Sequence, residues 1–346
     1  MGTMGNKTIH FVFLPSWWNK NYGIKFGKSY TFDFEYRSNI HRKMQKYLYQ
    51  RFGDIGLGDD NPEPGPLDDP EGLFFPPFAN ALIPALFGAQ VKLPEDNFPW
   101  EVPMRLGDED IRNLKVPDIY NSYPIAPLIR QWDEIRKRYG RETSSIWNLG
   151  VQNIAFKLRG EQLFIDYYEN PELAHRLFEI IRETIAQLAL LLMERHGETP
   201  LRLVIANCTV DFISPEIYSR FLYKHDHRLS EEFPSFGIHH CGVVDRMIDQ
   251  YALHDNVSYI QVGWQSNLRK VCDTFPKASI SYIFSAKRLM SASREDLVED
   301  VRRIMDSIHQ DTEFELSVPD IDYRTPDDNI RAVYEAFCDY SNSKCM

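Results

Sequence analysis

The chain has 346 residues, enough for one large core or two smaller domains, and its 43% hydrophobic and 26% charged content is that of an ordinary globular protein. A net charge of −11 with no lysine or arginine block argues against a nucleic-acid partner, because phosphate contacts need local basic charge. Five cysteines are too sparse for a disulfide scaffold and are expected to be mostly reduced thiols of a cytoplasmic protein. No membrane span is expected, since Arg182, Glu183 and Gln187 interrupt the most apolar helical pattern, Ile180 to Met193.

The β-rich run Thr8 to Leu14 ends at Pro15 and reads as a first buried strand. Residues 16–23 are expected to be a loop carrying Trp17, Trp18 and Tyr22, aromatics that need a cover or a ligand. Ser38 is placed to cap a helix through Ile40, Met44 and Leu48, and Asp54 to Leu57 is a weak second strand leading to Asp59 and Asp60. Frequent proline from Asn61 to Tyr120 predicts short, broken elements that cover one face as an insertion. Order returns with a helix over Ile125 to Tyr139, a strand at Ser144 to Leu149, and a long helix opened by Pro171. Leu201 to Ala206 is the next strand, and Pro215 sits in the first turn of the helix that follows.

Alternation is clearest in the second half, with strands at Phe236 to Cys241, Val257 to Val262, Ser279 to Ile283 and Phe314 to Val318 separated by helical patterns. Eight candidate strands favour a (β/α)8 TIM barrel formed by the whole chain, 1–346, with 61–120 inserted over the barrel mouth after the second strand. A six-stranded open sheet with an added domain is the alternative, because Asp54 to Leu57 is a weak strand. No Gly-x-Gly-x-x-Gly, Walker, kinase or Gly-x-Ser-x-Gly pattern is present.

The stretch with the most chemistry is Pro234-Ser-Phe-Gly-Ile-His-His-Cys-Gly-Val243. On a strand the period of two puts His239 and Cys241 on one face and His240 on the other. Imidazole and thiolate suit zinc, although two ligands alone also fit a buried histidine and a buried thiol. Asn148 and Asn207 end two expected strands and Trp264 and Gln265 end a third, where each is placed to contact a polar or aromatic ligand. Asp59 and Asp60 are candidate acid/base carboxylates.

The order of segments resembles the uroporphyrinogen decarboxylase superfamily, on five pieces in sequence: residues 150–160 (GVQNIAFKLRG), 170–175 (NPELAH), 213–216 (ISPE), 239–242 (HHCG) and 325–332 (TPDDNIRA). The resemblance implies a (β/α)8 barrel. It does not imply porphyrin decarboxylation. The loop after the first strand carries Trp17 and Trp18 but no arginine, the active-site tyrosine falls on Phe156, and the late active-site histidine falls near Val318 or Pro319.

The His-x-Cys pair is similar to that of the cobamide-dependent methyltransferase and O-demethylase branch, in which it holds zinc together with a later cysteine. That later position is occupied here by Pro319 and Asp320. The third ligand expected instead is Cys208, from the end of the neighbouring strand, with Asp320 or Asp322 as the other choice. The resemblance implies methyl transfer from a small donor to a corrinoid carried by a separate protein, with zinc activation, and it allows a homodimer. The alternatives are a metal-independent decarboxylase of a small non-porphyrin acid, using Asp59 or Asp60, and an inactive ligand-binding barrel.

Overall fold

The strands are β1 (Gly2–Met4), β2 (Lys7–Phe13), β3 (Val91–Lys92), β4 (Trp100–Glu101), β5 (Trp147–Leu149), β6 (Arg202–Ala206), β7 (Ser235–His240), β8 (Val257–Val262), β9 (Ser279–Ile283) and β10 (Phe314–Ile321). A computed structural model describes residues 2–4, 6–62, 78–139, 147–196 and 202–343. The main sheet runs β1-β2-β10-β9-β8-β7-β6-β5, and every pairing in it is parallel except that of β1 with β2.

β10 pairs with both β9 and β2, so the first long strand lies beside the last, as barrel closure requires. β6 shows why these strands are parallel and central. Leu203, Val204, Ile205 and Ala206 are all buried, the continuous apolar run of a strand covered on both faces. The outer layer includes the helix Pro171–His196, which buries Leu177, Phe178, Ile181, Ile185 and Leu188. Side-chain caps start the helices that follow several strands: Ser214 for Pro215–Phe221, Asn267 for Leu268–Thr274, Ser285 for Ala286–Ser291 and Ser293 for Arg294–Asp306. The protein is a (β/α)8-type barrel.

Two local expectations are corrected. Asp54 to Leu57 is not a strand, because Gly53–Ile55 forms a single 3-10 turn and Leu57 N–H returns to the Phe52 carbonyl. Gly56 and Gly58 take φ values of 74° and 82°, in the left-handed region that ends extended structure. Among the described residues no strand of the main sheet therefore falls between β2 and β5 in the chain, where only the separate β3–β4 ladder stands. Residues 16–23 are not a loop but most of the helix Pro15–Tyr22, with proline in its first turn and Gly23 as a left-handed cap.

The proline-rich segment forms short elements as expected: helix Leu82–Leu86, the β3–β4 ladder and helix Asp108–Asn113. It is tied to the helices after β5. Leu106 N–H donates to the Leu158 carbonyl, Arg159 bridges Asp108 and Asp166, and Arg176 donates to the Ile111 carbonyl. Residues 63–77 of this segment lie outside the described part. Within that part no helix is long and apolar enough to cross a membrane.

Candidate metal centre at the ends of two strands

Strand register brings the site together. Ala206 on β6 pairs with His239 on β7, and Asn207 N–H donates to the His239 carbonyl at 2.7 Å. Cys208 therefore lies two residues beyond the level of His239, at the start of the 3-10 turn Cys208–Phe212. Cys241 follows β7 directly. Its carbonyl lies so close to Gly263 that a Cβ there would sit 1.9 Å away, so only glycine fits beside it. One ligand atom from each of Cys208, His239 and Cys241 lies within 4.8 Å of the other two.

The donor set fits a zinc ion: one imidazole nitrogen and two sulfurs, at the C-terminal ends of neighbouring barrel strands. Asp320 and Asp322 do not join this group, and Asp322 is engaged with Arg324. The cysteines described, Cys208, Cys241, Cys272 and Cys338, are free of disulfides.

The three groups reshape one another's protonation. The Cys241 thiol hydrogen-bonds the Cys208 sulfur and, with His239, holds Cys208 well below the ordinary thiol range despite burial. That thiolate in turn pushes Cys241 up, and burial adds to the effect. Burial opposes a charged His239, but the Cys208 thiolate and the Gln261 carbonyl outweigh it and raise the imidazole. A thiolate flanked by two proton-bearing groups is thus the metal-free form.

His240 faces the other way, as alternation requires. It is fully buried between Tyr251 OH and Asp211 Oδ1, each 3.0 Å from a ring nitrogen. Behind it lies a buried polar group in which Asn207 Nδ2 and Tyr218 OH both donate to Asp226 Oδ2, at 2.8 and 2.9 Å. Burial pushes Asp226 up to about 6, against these two hydrogen bonds.

The other candidate residues fall elsewhere. Asn207, only 1% exposed, donates its amide NH2 to Asp226. Trp17 and Trp18 are buried among Phe13, Phe52 and Tyr22, with the Arg51 guanidinium 5.0 Å from the Trp17 ring centre, so their cover is the protein's own core. Tyr22 stacks on Tyr47, ring centres 4.2 Å apart.

Trp264 packs on Tyr282 and Phe284. Ser281, bonded to Gln261, takes the inward position on β9, so Tyr282 and Trp264 with it face the helix layer. With Gln265 they line a cleft of about 600 Å³ that also contains Arg288, Asp300 and Arg303 and none of the three candidate ligands. A pocket shared by Trp17, Trp18 and Trp264 is therefore not formed.

Asp59 and Asp60 are exposed, and the Asp59 carboxylate accepts the Asn61 N–H at 2.8 Å. Asn148 pairs with Ile205 through the backbone, and its side chain lies outside the described part. Sequence reasoning missed Gln261. Its position on β8 opposite His239 could have been found only by fixing the register between the two strands.

No curated protein matches the chain by sequence. A solved structure of a methyltransferase from Methanosarcina mazei is similar, with a TM-score of 0.69 and 13% identity over 98% of this chain and 95% of that one, a likeness that speaks to the fold. The model of the uroporphyrinogen decarboxylase (URO-D) family matches residues 73–340, well over half of the sequence, and the chain belongs to that family.

Proposed function

We propose that the protein is a zinc-dependent methyltransferase or O-demethylase component that takes a methyl group from a small donor and delivers it to a corrinoid held by a separate protein. The observation that carries this reading is the convergence of Cys208, His239 and Cys241 at the barrel mouth, with a ligand set suited to zinc and a family fold whose solved neighbour is a methyltransferase. Zinc, when bound, supplies Lewis acidity that activates a methyl donor or lowers the pKa of an acceptor thiol.

The chain's own part is to hold that ion. Cys208 is already drawn toward the thiolate, and Cys241 and His239 give up their protons on loading. Three protein ligands leave a further position for substrate, the pattern of catalytic rather than structural zinc sites. In this reading the corrinoid is carried by the partner, and the chemistry of that cofactor resides there.

Asp59 and Asp60, the carboxylates on which the decarboxylase alternative rests, are exposed on the segment that follows Gly58. The experiment is turnover of a panel of methyl ethers, methylamines and methyl thioethers with a reduced corrinoid protein as acceptor. Methylation of the corrinoid by zinc-loaded protein, absent in His239→Ala, supports the proposal. Release of carbon dioxide from small acids without methyl transfer overturns it.

A further inference from the structure

One of the three candidate ligands, His239, is backed by a row of side chains on neighbouring strands. His239 pairs with Gln261 on β8, Gln261 with Ser281 on β9, and Ser281 with Glu315 on β10. Four consecutive parallel strands thus place four polar residues at one level. Their side chains touch in the same order: His239 Nδ1 meets Gln261 Oε1, Gln261 Nε2 donates to Ser281 Oγ at 2.8 Å, and Ser281 Oγ donates to Glu315 Oε1 at 2.8 Å. Gln261 is 7% exposed and Ser281 0%, so water does not substitute for these partners.

The chemistry of the row gives it a direction. A carboxylate only accepts hydrogen bonds, so the single hydroxyl proton of Ser281 points to Glu315. The Ser281 oxygen is then left as an acceptor, and only the NH2 end of Gln261 can fill it. That turns the Gln261 carbonyl toward His239, which must answer with Nδ1–H. The proton of a neutral imidazole is thereby fixed on Nδ1. Its lone pair is then left on Nε2, on the side of the ring that faces Cys208.

We infer that Gln261, Ser281 and Glu315 are positioning residues, a relay by which a carboxylate on β10 sets the tautomer of His239 and presents its Nε2 to a metal. Metal-bound histidines commonly receive such help from a directly bonded carboxylate, carbonyl or water. Here the carboxylate stands two hydrogen-bonding residues away. This inference rests on the proposed zinc site for its purpose but not for its geometry, which concerns the metal-free side chains.

The test separates the two. Full-length protein labelled with 15N-histidine is stripped of metal and brought to alkaline pH, where the imidazole is neutral, and the His239 tautomer is read from its ring nitrogen shifts. The relay predicts Nδ1–H in the unaltered protein. It predicts a mixture of tautomers in Glu315→Gln, whose amide can donate to Ser281 and let the row run backwards, and in Ser281→Ala. Zinc affinity, measured by chelator competition, should fall roughly 10–100-fold in Gln261→Leu and be restored in Gln261→Glu, which still accepts from Nδ1–H.

Thermal unfolding of Glu315→Gln, an isosteric change, checks that the fold is kept. An Nε2–H tautomer in the unaltered protein, or a tautomer unmoved by both Glu315→Gln and Ser281→Ala, overturns the relay. The expected tautomer pattern in a protein that binds no zinc would uphold the relay and remove the metal proposal instead.

Discussion

His239 and His240 are neighbours on β7, yet the first faces the barrel interior beside two thiols while the second is packed in the helix layer between Tyr251 and Asp211. Their protonation diverges accordingly. Thiolate and amide partners raise His239 against the effect of burial, whereas burial lowers His240 despite the nearby Asp211 carboxylate. Strand alternation alone creates this difference. His240, held between a phenol and a carboxylate, is structural, whereas His239, with one nitrogen turned to two sulfurs, is placed as a ligand.

The largest expected effect comes from removing the inward member. His239→Ala should abolish methyl transfer and weaken zinc by more than the roughly 10–100-fold typical of outer contacts, with little loss of folded protein. Zinc affinity in His240→Leu should stay within a few-fold of the unaltered protein by chelator competition. Equal zinc loss in both variants would erase the distinction.

Acid stability sharpens the outward class. His225 and His254 share the buried setting of His240, and burial pushes them down to about 3 and about 4. An unfolded histidine binds its proton near 6.5, so stability present above that pH is lost as pH falls toward these values. Asp226 works in the opposite sense, since a carboxyl raised to about 6 adds stability as pH falls from 6 toward 4. Denaturant titrations across pH 4–7 should show a net fall in stability on acidification. The slope should be shallower in His225→Gln and steeper in Asp226→Asn, where only the histidine contribution remains.

His240→Leu is expected to cost about 1–3 kcal/mol of unfolding free energy, because Tyr251 OH and Asp211 lose a buried partner. A smaller loss, about 1 kcal/mol, is expected for Ser293→Ala, which removes the cap of Arg294–Asp306 far from either histidine. That variant should leave zinc affinity unchanged, a control for general destabilisation.

Much of this contrast is legible in the sequence. The alternation of Phe236 to Cys241 separates His239 from His240, and the end of the preceding strand suggests Cys208, because both features depend on a single strand or on adjacent ones. The helix at Pro15–Tyr22 was also signalled, by proline in its first turn and glycine after its end, but its run of tryptophans reads as a loop when the burying surface of Phe13 and Phe52 is unknown. Trp264 turns outward for a reason no local pattern contains, namely which face of β9 carries Tyr282. Gln261, Ser281 and Glu315 are invisible one at a time, since each becomes meaningful only when four strands are in register. The glycines at 53, 56 and 58 were the available warning that Asp54 to Leu57 would not extend.

The central claim, that Cys208, His239 and Cys241 form a zinc site, is tested most directly by metal analysis of protein purified without chelator, alongside two cysteine variants. The account predicts near-stoichiometric zinc in the unaltered protein, strong loss in Cys208→Ala, and retention in Cys338→Ala, whose side chain lies on the terminal helix beside Tyr334. No zinc after incubation with the metal, or equal retention in the two variants, would contradict it.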